Sequence, residues 1–269
     1  MFLVNGQVTD QLPVTDRGLH YGDGLFETMA VVNGTVRFWQ QHFQRLQKGC
    51  QYLSIPVPEQ KTLDAEIERI LSSHDREEQA VIKLIVTRGS GGRGYKPPVS
   101  ATPSRILGLY PWPDYPEDFS TQGIKLYACK TRLSQNTSLA GLKHLNRLEQ
   151  VLARNEWLDD SFAEGLMCDQ QGRVIEGTMT NLFWIHDDCL CTPRLDFCGV
   201  EGIMRARILQ LASDMKLKVK INNYGLDNLL SADGVFLCNS IIGIWPVAQF
   251  KQINWKPHPI ARQFMELLR

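Results

Sequence analysis

Three prolines within seven residues, at positions 111, 113 and 116, constrain the fold of this 269-residue chain more than any other feature. Proline fixes its own φ, lacks an N–H donor and restricts the residue before it, so this run cannot continue a helix or a central strand. A chain of this length is long enough to form two modest hydrophobic cores. We therefore predict two domains, 1–110 and 121–269, joined by a proline-rich linker at 111–120.

Hydrophobic periodicity on both sides of the linker predicts an α+β protein. The Asn33-Gly34 dipeptide separates two β-prone runs and is favoured in tight hairpin turns. Before the linker, the pattern predicts strands at 24–32, 36–38, 80–87 and 105–110 and helices at 40–53 and 58–72. After the linker, it predicts strands at 124–129, 165–169, 173–175, 181–185, 189–191, 217–221, 235–238 and 244–248 and helices at 146–158 and 203–213. We expect a smaller α/β N-terminal domain and a larger β-rich C-terminal domain.

Charge and hydropathy disfavour several classes of function. Lysine and arginine total 29, and so do aspartate and glutamate, so there is no net field to attract nucleic acid or an anionic membrane. No stretch approaches the roughly 18 apolar residues of a membrane span, and the first residues lack the basic flank of a targeting segment. We expect a cytoplasmic protein that binds neither nucleic acid nor membranes.

The seven cysteines are an odd number without a repeated spacing, which predicts buried, reduced thiols rather than a disulfide framework. His186, Cys189, Cys191 and Cys198 could be drawn as a zinc site, and a zinc-binding module is the alternative from a different functional class. However, no C-x-x-C or H-x-x-x-H pair is present, and Cys189 and Cys191 alternate like one face of a strand. We predict no bound metal.

Lys143 is a candidate for chemistry because it precedes a predicted helix, with Arg147 one turn further on. Leu145, Leu148 and Leu152 have helical spacing and predict a buried stripe next to this lysine. Removal from water and a neighbouring cation both lower the pKa of an amine, as an imine-forming lysine requires.

Two further features fit the chemistry of a phosphorylated aldehyde cofactor. Glu176 follows a predicted strand, and Gly199–Gly202 lead into a predicted helix that begins at Ile203 and Met204. The free backbone N–H groups of a helix N-terminus bind phosphate well. A lysine, a carboxylate and a phosphate seat together suggest pyridoxal 5′-phosphate.

The stretch from Glu176 to Arg205 resembles the signature of the class IV pyridoxal-phosphate enzymes. Three N-terminal segments, 16–18, 21–28 and 42–46, are also similar to this family. The resemblance implies the two-domain fold type IV of the D-amino-acid aminotransferases, pyridoxal 5′-phosphate as cofactor and a homodimer. The matching signature positions are Glu176, Thr178, Asn181, Leu182, Phe183, Leu190, Thr192, Val200, Gly202, Ile203 and Arg205.

The same resemblance implies a role for individual residues. Lys143 would form the imine with the cofactor and transfer protons, and Glu176 would face the pyridine nitrogen and keep it protonated. Arg45 would contact the phosphate as a charged donor. Further cofactor contacts are implied for the backbone N–H groups of Ile203 and Met204 and for Asn239 and Ser240.

Two stretches, 88–95 and 139–151, resemble the lyase branch of the family. Its members convert 4-amino-4-deoxychorismate to 4-aminobenzoate and pyruvate in folate biosynthesis, whereas an amino-acid transaminase, acting on D- or branched-chain amino acids, is the alternative. The substrate carries two carboxylates that require cationic or N–H partners. Arg93 in the glycine-rich loop is the first candidate, followed by Arg88 and Tyr95, while Thr28 would orient the substrate or assist proton transfer.

Overall fold

The computed structural model describes residues 1–72 and 74–268, and the chain divides into two compact units. Unit 1 comprises Met1–Pro113 together with Lys143–Asn146. Unit 2 comprises Asp114–Leu142 and Arg147–Arg269. The short segment Lys143–Asn146, which the sequence analysis assigned to the second domain, is therefore part of unit 1 and is joined at both ends to chain of unit 2.

Unit 1 contains one antiparallel sheet with two long helices. Its elements are β1 (Phe2–Val4), β2 (Gln7–Val8), α1 (Arg17–Tyr21), β3 (Gly24–Val32), β4 (Thr35–Val36), α2 (Trp39–Tyr52), α3 (Gln60–Leu71), β5 (Ala80–Thr87) and β6 (Ser104–Pro111). The strand order is β2-β1-β6-β5-β3-β4. Asn33 and Gly34 have positive φ angles of 51° and 69°, as a two-residue hairpin turn requires, which confirms the predicted hairpin.

Side-chain alternation along β3 separates the core of unit 1 from its second face. Leu25, Met29 and Val31 belong to the same buried cluster as the helix residues Phe43 and Leu46. Because successive residues of a strand point to opposite faces, residues 26, 28 and 30 lie on the face away from this cluster. β3 therefore has one face for packing and another that is available to carry functional side chains.

The elements of unit 2 are α4 (Asp118–Thr121), β7 (Ile124–Leu133), α5 (Leu148–Arg154), β8 (Phe162–Asp169), β9 (Val174–Gly177), β10 (Asn181–His186), β11 (Cys189–Pro193), α6 (Ile203–Asp214), β12 (Lys218–Asn222), α7 (Leu226–Leu230), β13 (Gly234–Asn239), β14 (Gly243–Phe250), β15 (Ile253–Asn254) and α8 (Pro259–Leu267). The sheet order is β12-β11-β10-β13-β14-β7-β8-β9, with β15 paired to β14. A pairing of Glu176 in β9 with Asn181 in β10 closes six of these strands into a ring.

Lys143–Asn146 joins unit 1 through backbone pairing with the first residues of β3. The Phe26 N–H donates to the Lys143 carbonyl at 3.0 Å, and the Leu145 N–H donates to the Gly24 carbonyl at 3.0 Å. These two bonds hold the backbone on either side of His144, and His144 itself pairs with Leu25. The backbone at Lys143 is therefore fixed.

This pairing also explains why the predicted helix begins two residues later than expected. The sequence pattern places the helix at 146–158, whereas α5 begins at Leu148 and ends at Arg154. Leu148 and Leu152 are 75% and 59% exposed, so the prediction that they form a buried stripe is wrong. The residues before Leu148 are engaged with β3 and cannot form the first turn of the helix.

The seven cysteines are all free and buried, as predicted. Within residues 1–72 and 74–268, no helix combines the length and the apolar character that a membrane crossing requires.

Asp16 is fully buried and connects three elements of unit 1. Its carboxylate accepts the Gly18 N–H at 2.7 Å, the Thr87 hydroxyl at 2.9 Å and the Ser104 hydroxyl at 2.7 Å.

We expect Asp16→Ala to lower the free energy of unfolding by about 3 kcal/mol, because two buried hydroxyls and the N–H of Gly18 in the first turn of α1 lose their acceptor. Urea unfolding measures this loss. Exposed Asp10 provides the control, and an equal loss in Asp10→Ala would contradict the assignment.

Candidate active site

Lys143 lies against an aromatic ring on the second face of β3. Its Nζ is 4.2 Å from the centroid of the Phe26 ring, and the Nζ of Lys83 is 5.4 Å from the same centroid. A cation over an aromatic face is attracted by the ring quadrupole. Thr28 lies on this face as well, paired with Lys83 of β5, and is half-buried. The predicted residues Lys143 and Thr28 thus belong to one surface of unit 1.

Arg45 is held by a buried carboxylate that the sequence analysis did not identify. Its Nε donates to Glu27 Oε1 at 2.8 Å and its Nη2 to Oε2 at 2.5 Å, while His42 Nδ1 is 2.6 Å from Oε2. Burial raises the pKa of Glu27, but Arg45 and His42 outweigh this effect and hold the pKa at about 2. Glu27 therefore remains ionised and fixes the orientation of the Arg45 guanidinium.

His42 is fully buried beside this ion pair. Burial lowers its pKa below the usual value more than Glu27 raises it, and Arg45 and Lys143 lower it further, so the imidazole is held neutral. Its Nδ1 meets Glu27, while Nε2 makes no hydrogen bond within the described residues. The segments 42–46 and 21–28, which contain His42, Arg45 and Glu27, were both recognised in the sequence, but the ion pair between them was not.

Arg88, predicted as a substrate ligand, is part of the framework of the glycine-rich loop. Its guanidinium donates twice to Asp23, at 2.7 and 3.0 Å, and to the carbonyls of Leu53 and Ser54. These acceptors engage all three guanidinium nitrogens of a buried side chain, so Arg88 stabilises the fold, and its contact with substrate stays a prediction. Arg93 and Tyr95 are exposed on the same loop.

Glu176 and the N-terminus of α6 lie together in unit 2. The Val200 N–H donates to Glu176 Oε2 at 2.9 Å, and the Asn181 amide donates to the Val200 carbonyl at 2.9 Å. A Cβ at Gly202 would lie 2.0 Å from Asn181 Oδ1, so only glycine fits there. Glu176 is almost fully buried, and Gly202 begins a 12-residue helix without a side-chain cap. The predicted carboxylate and the predicted phosphate seat at Ile203 and Met204 are therefore connected through Asn181.

A second buried carboxylate, Glu164, supports the turn that follows Glu176. It accepts the N–H groups of Thr178 and Met179, both at 3.0 Å, and the hydroxyls of Thr178 at 2.5 Å and Thr180 at 3.0 Å. These bonds fix the backbone from residue 178 to 180. Glu164 lies in β8 just before the predicted strand 165–169, and no motif in the sequence marked it.

Asn239 is the last residue of β13 and Ser240 follows it, and both are predicted cofactor contacts. The Asn239 amide donates to the Met179 carbonyl at 3.2 Å and accepts the N–H groups of Ile241 and Ile242 at 2.8 and 2.9 Å. The Asn239 side chain thus stabilises this turn, and its contact with the cofactor stays a prediction. Ser240, the next residue, is half-buried.

The zinc alternative receives no support from the side-chain positions. Cys189 and Cys191 are buried in one hydrophobic cluster and Cys198 in another. In the described parts of the chain, the group that could hold a metal comprises His186, Asp187 and Asp233 and contains no cysteine. His186, Cys189, Cys191 and Cys198 therefore do not form one cluster of potential zinc ligands.

The ion pair at Glu27 makes the stability of unit 1 dependent on pH. Because the pKa of Glu27 is about 2, against the ordinary 4.5, its ionisation stabilises the folded state above pH 4.5, and this contribution is lost as the pH falls from 4.5 towards 2. We expect Glu27→Gln to be on the order of 3 kcal/mol less stable near neutral pH, with a deficit that narrows in acid. Urea unfolding as a function of pH measures both effects. The exposed Glu59 provides the matched Glu59→Gln control, and a pH-independent deficit would contradict the assignment.

Three comparisons relate the chain to known proteins. The family model described as amino-transferase class IV matches residues 24–250. An aminodeoxychorismate lyase of Vibrio harveyi is 38% identical over 248 residues, which cover 92% of this chain and 90% of the relative. A crystal structure of 4-amino-4-deoxychorismate lyase from Pseudomonas aeruginosa is 47% identical, with a TM-score of 0.95 over 100% of this chain and 98% of that one.

A transaminase structure is similar at lower identity. The branched-chain amino acid aminotransferase of Escherichia coli is 25% identical, with a TM-score of 0.85 over 99% of this chain and 92% of that one. These likenesses confirm the predicted α+β fold of type IV. The chain belongs to the class IV aminotransferase family, whose enzymes use pyridoxal 5′-phosphate as cofactor.

Proposed function

We propose that this chain is a 4-amino-4-deoxychorismate lyase, which eliminates pyruvate from its substrate and leaves 4-aminobenzoate for folate biosynthesis. The proposal rests on similarity to two lyases, which are 38% and 47% identical over nearly the whole chain. A putative branched-chain aminotransferase of Methanocaldococcus jannaschii is 30% identical, and the Escherichia coli transaminase structure is 25% identical. The predicted lyase-like stretches at 88–95 and 139–151 support the same choice.

The groups within each unit fit the cofactor chemically. Glu176 is a buried carboxylate suited to the ring nitrogen, and the N–H groups of Ile203 and Met204 and the Ser240 hydroxyl suit the phosphate. Arg45, oriented by Glu27, adds a charged phosphate donor. When bound, pyridoxal phosphate supplies an electron sink.

Lys143 is the residue to which we assign covalent attachment and proton transfer. Its backbone is fixed by β3 and its amine lies over Phe26, so the amine is held in a defined position. We assign to its Nζ removal of the proton from the substrate carbon that bears the amino group. Cleavage of the neighbouring carbon–oxygen bond then makes the ring aromatic, and the enolpyruvyl group is protonated to give pyruvate. Thr28 would orient the substrate, and Arg93 would bind a substrate carboxylate.

We expect Lys143→Ala to lose the absorbance of the lysine-bound cofactor and to lower pyruvate release by about a thousandfold or more, because the proton-transfer group is removed. Lys83→Ala is the matched control, because Lys83 approaches the same Phe26 ring. Borohydride reduction of the wild-type protein followed by peptide mapping should mark Lys143. Label on another lysine, or full turnover by Lys143→Ala, would contradict the assignment.

The competing function is transamination, which the structural likeness to the branched-chain enzyme favours. The two functions are separated by the need for an acceptor. A lyase releases pyruvate from 4-amino-4-deoxychorismate without any keto acid, whereas a transaminase exchanges amino groups between D-alanine or a branched-chain amino acid and 2-oxoglutarate. Amino exchange without pyruvate release would select the transaminase.

We also propose that the enzyme is a cytoplasmic homodimer. One face of α5 supports self-association, because Leu148, Val151 and Leu152 are 75%, 52% and 59% exposed, and Val151 and Leu152 lie three and four residues after Leu148.

We expect sedimentation to give a dimer for the wild-type protein and a monomer for Leu148→Glu. The dimer proposal fails if the wild-type protein sediments as a monomer, and the assignment of this face fails if Leu148→Glu remains dimeric. Glu149→Gln on the same helix is the control.

A further inference from the structure

The outer half of the glycine-rich loop, residues 92–95, stands away from the packed interior. A Cβ added at Gly92 or Gly94 would meet no atom within 4 Å, and Tyr95 is 86% exposed. Gly94 also has a φ of 100°, which disfavours any side chain. Van der Waals packing therefore contributes little to the conformation of this half of the loop, and directed hydrogen bonds must define it.

Arg17 and Tyr21 of α1 provide those hydrogen bonds. Arg17 is only 4% exposed, and it donates from Nη1 to the Gly94 carbonyl at 2.9 Å and from Nη2 to the Tyr95 carbonyl at 3.0 Å. The Gly94 N–H donates to the Tyr21 hydroxyl at 3.0 Å. The rings of Tyr21 and Tyr95 also meet edge to face at 5.5 Å. Two side chains thus hold three backbone polar groups of Gly94 and Tyr95.

The Arg17 guanidinium is itself fixed by Asp23. Its Nε donates to Asp23 Oδ2 at 2.8 Å, and Arg88 donates to the same carboxylate. Burial raises the pKa of Asp23, but the two arginines outweigh it and hold the pKa below its usual value, so the anion persists near neutral pH. Arg17 therefore reaches the loop from a fixed position.

The base of the loop is bound to the same segment of chain. The Arg17 N–H donates to the Gly89 carbonyl at 2.9 Å, and the Gly91 N–H donates to the Thr15 carbonyl at 3.1 Å. The backbone before α1 thus holds the start of the loop, while the side chains of α1 hold its outer half. Arg93 lies between these two attachments.

We propose that Arg17 and Tyr21 are positioning residues, which hold the glycine-rich loop so that Arg93 is presented in one place to a carboxylate of the substrate. This inference rests on the proposed function, which gives Arg93 its ligand. Ordering a flexible loop at the moment of binding lowers affinity, and a loop that is already ordered avoids that loss. Neither side chain needs to contact the substrate to have this effect.

The test compares Arg17→Lys and Tyr21→Phe with the wild-type holoenzyme. Lysine keeps the positive charge but lacks the planar guanidinium with which Arg17 donates to Asp23 and to both carbonyls together, and phenylalanine removes only the hydroxyl. We expect each variant to raise the KM for 4-amino-4-deoxychorismate by about fivefold, with kcat and the cofactor absorbance unchanged. Amide hydrogen exchange at residues 92–95 should become faster in both. Unchanged exchange, or faster exchange with an unchanged KM, would overturn the proposal.

Two controls match the chemistry of these substitutions elsewhere in unit 1. Arg69→Lys removes an arginine that donates to the Gly6 carbonyl, and Tyr52→Phe removes an exposed hydroxyl. Neither should change the KM or the loop exchange. An equal rise of KM in these controls would overturn the proposal.

A double-mutant cycle separates action through Arg93 from direct contact with the substrate. In an Arg93→Ala background, Arg17→Lys should raise the KM no further, because the group that it positions is gone. Full additivity of the two effects would overturn the proposal. Failure of the proposed function looks different, since the wild-type holoenzyme would then release no pyruvate at all, while faster loop exchange in the variants would still identify the attachment.

Discussion

Two main-chain hydrogen bonds attach the segment that carries Lys143 to the start of β3, and the proposed chemistry depends on them. A lysine side chain has four rotatable bonds, so its amine is defined in space only if its backbone is fixed. Here the backbone on both sides of His144 is held by Gly24 and Phe26, and the Phe26 ring then supports the amine. The position of the reactive group thus follows from β-sheet hydrogen bonding.

In unit 2 a functional side chain is also positioned by β-sheet pairing, because Glu176 lies where the ring of strands closes. The ring of six strands closes where Glu176 pairs with Asn181, so the carboxylate lies at a junction that cannot shift without opening the sheet. Asn181 then reaches the Val200 carbonyl and occupies the space that a side chain at residue 202 would need. One asparagine therefore links the sheet, the loop and the first turn of α6. Glu164 adds rigidity to the adjoining turn.

Local signals predicted much of this fold from the sequence. The Asn33-Gly34 hairpin, the strand Ala80–Thr87 and the helices α2 and α6 were recognised because alternation, helical spacing and turn residues are properties of neighbouring positions. β1, β2, α1 and α8 were not predicted. The two strands are very short, and the start signals of the helices, Asp16 as the N-cap of α1 and Pro259 in the first turn of α8, were not recognised. The helix predicted at 146–158 begins only at Leu148 because pairing of residues 143–145 with β3, a contact distant in sequence, outweighed helical periodicity.

In the candidate site, too, residues in local motifs were predicted, whereas contacts between residues distant in sequence were not. Lys143, Glu176 and the N-terminus of α6 carry motifs, so a single sequence could indicate them. Asp23 and Glu27 lie in the recognised segment 21–28, but their roles, like that of Glu164, could not be found in this way, because each acts on a partner that only the fold brings near. The contacts of Arg88 were not predicted for a related reason: the motif contains the arginine but does not show that its guanidinium donates to the carbonyls of Leu53 and Ser54.

The burial of every cysteine has a consequence for how this protein ages and how it can be labelled. Removal from water raises the pKa of Cys50 to about 12, and the pKa values of Cys129 and Cys198 also rise to about 12, so the thiolate that reacts with alkylating agents and peroxide is scarce in the folded state. Thiol reactivity therefore reports on opening of the chain: modified cysteine accumulates only as fast as the cores become accessible to solvent.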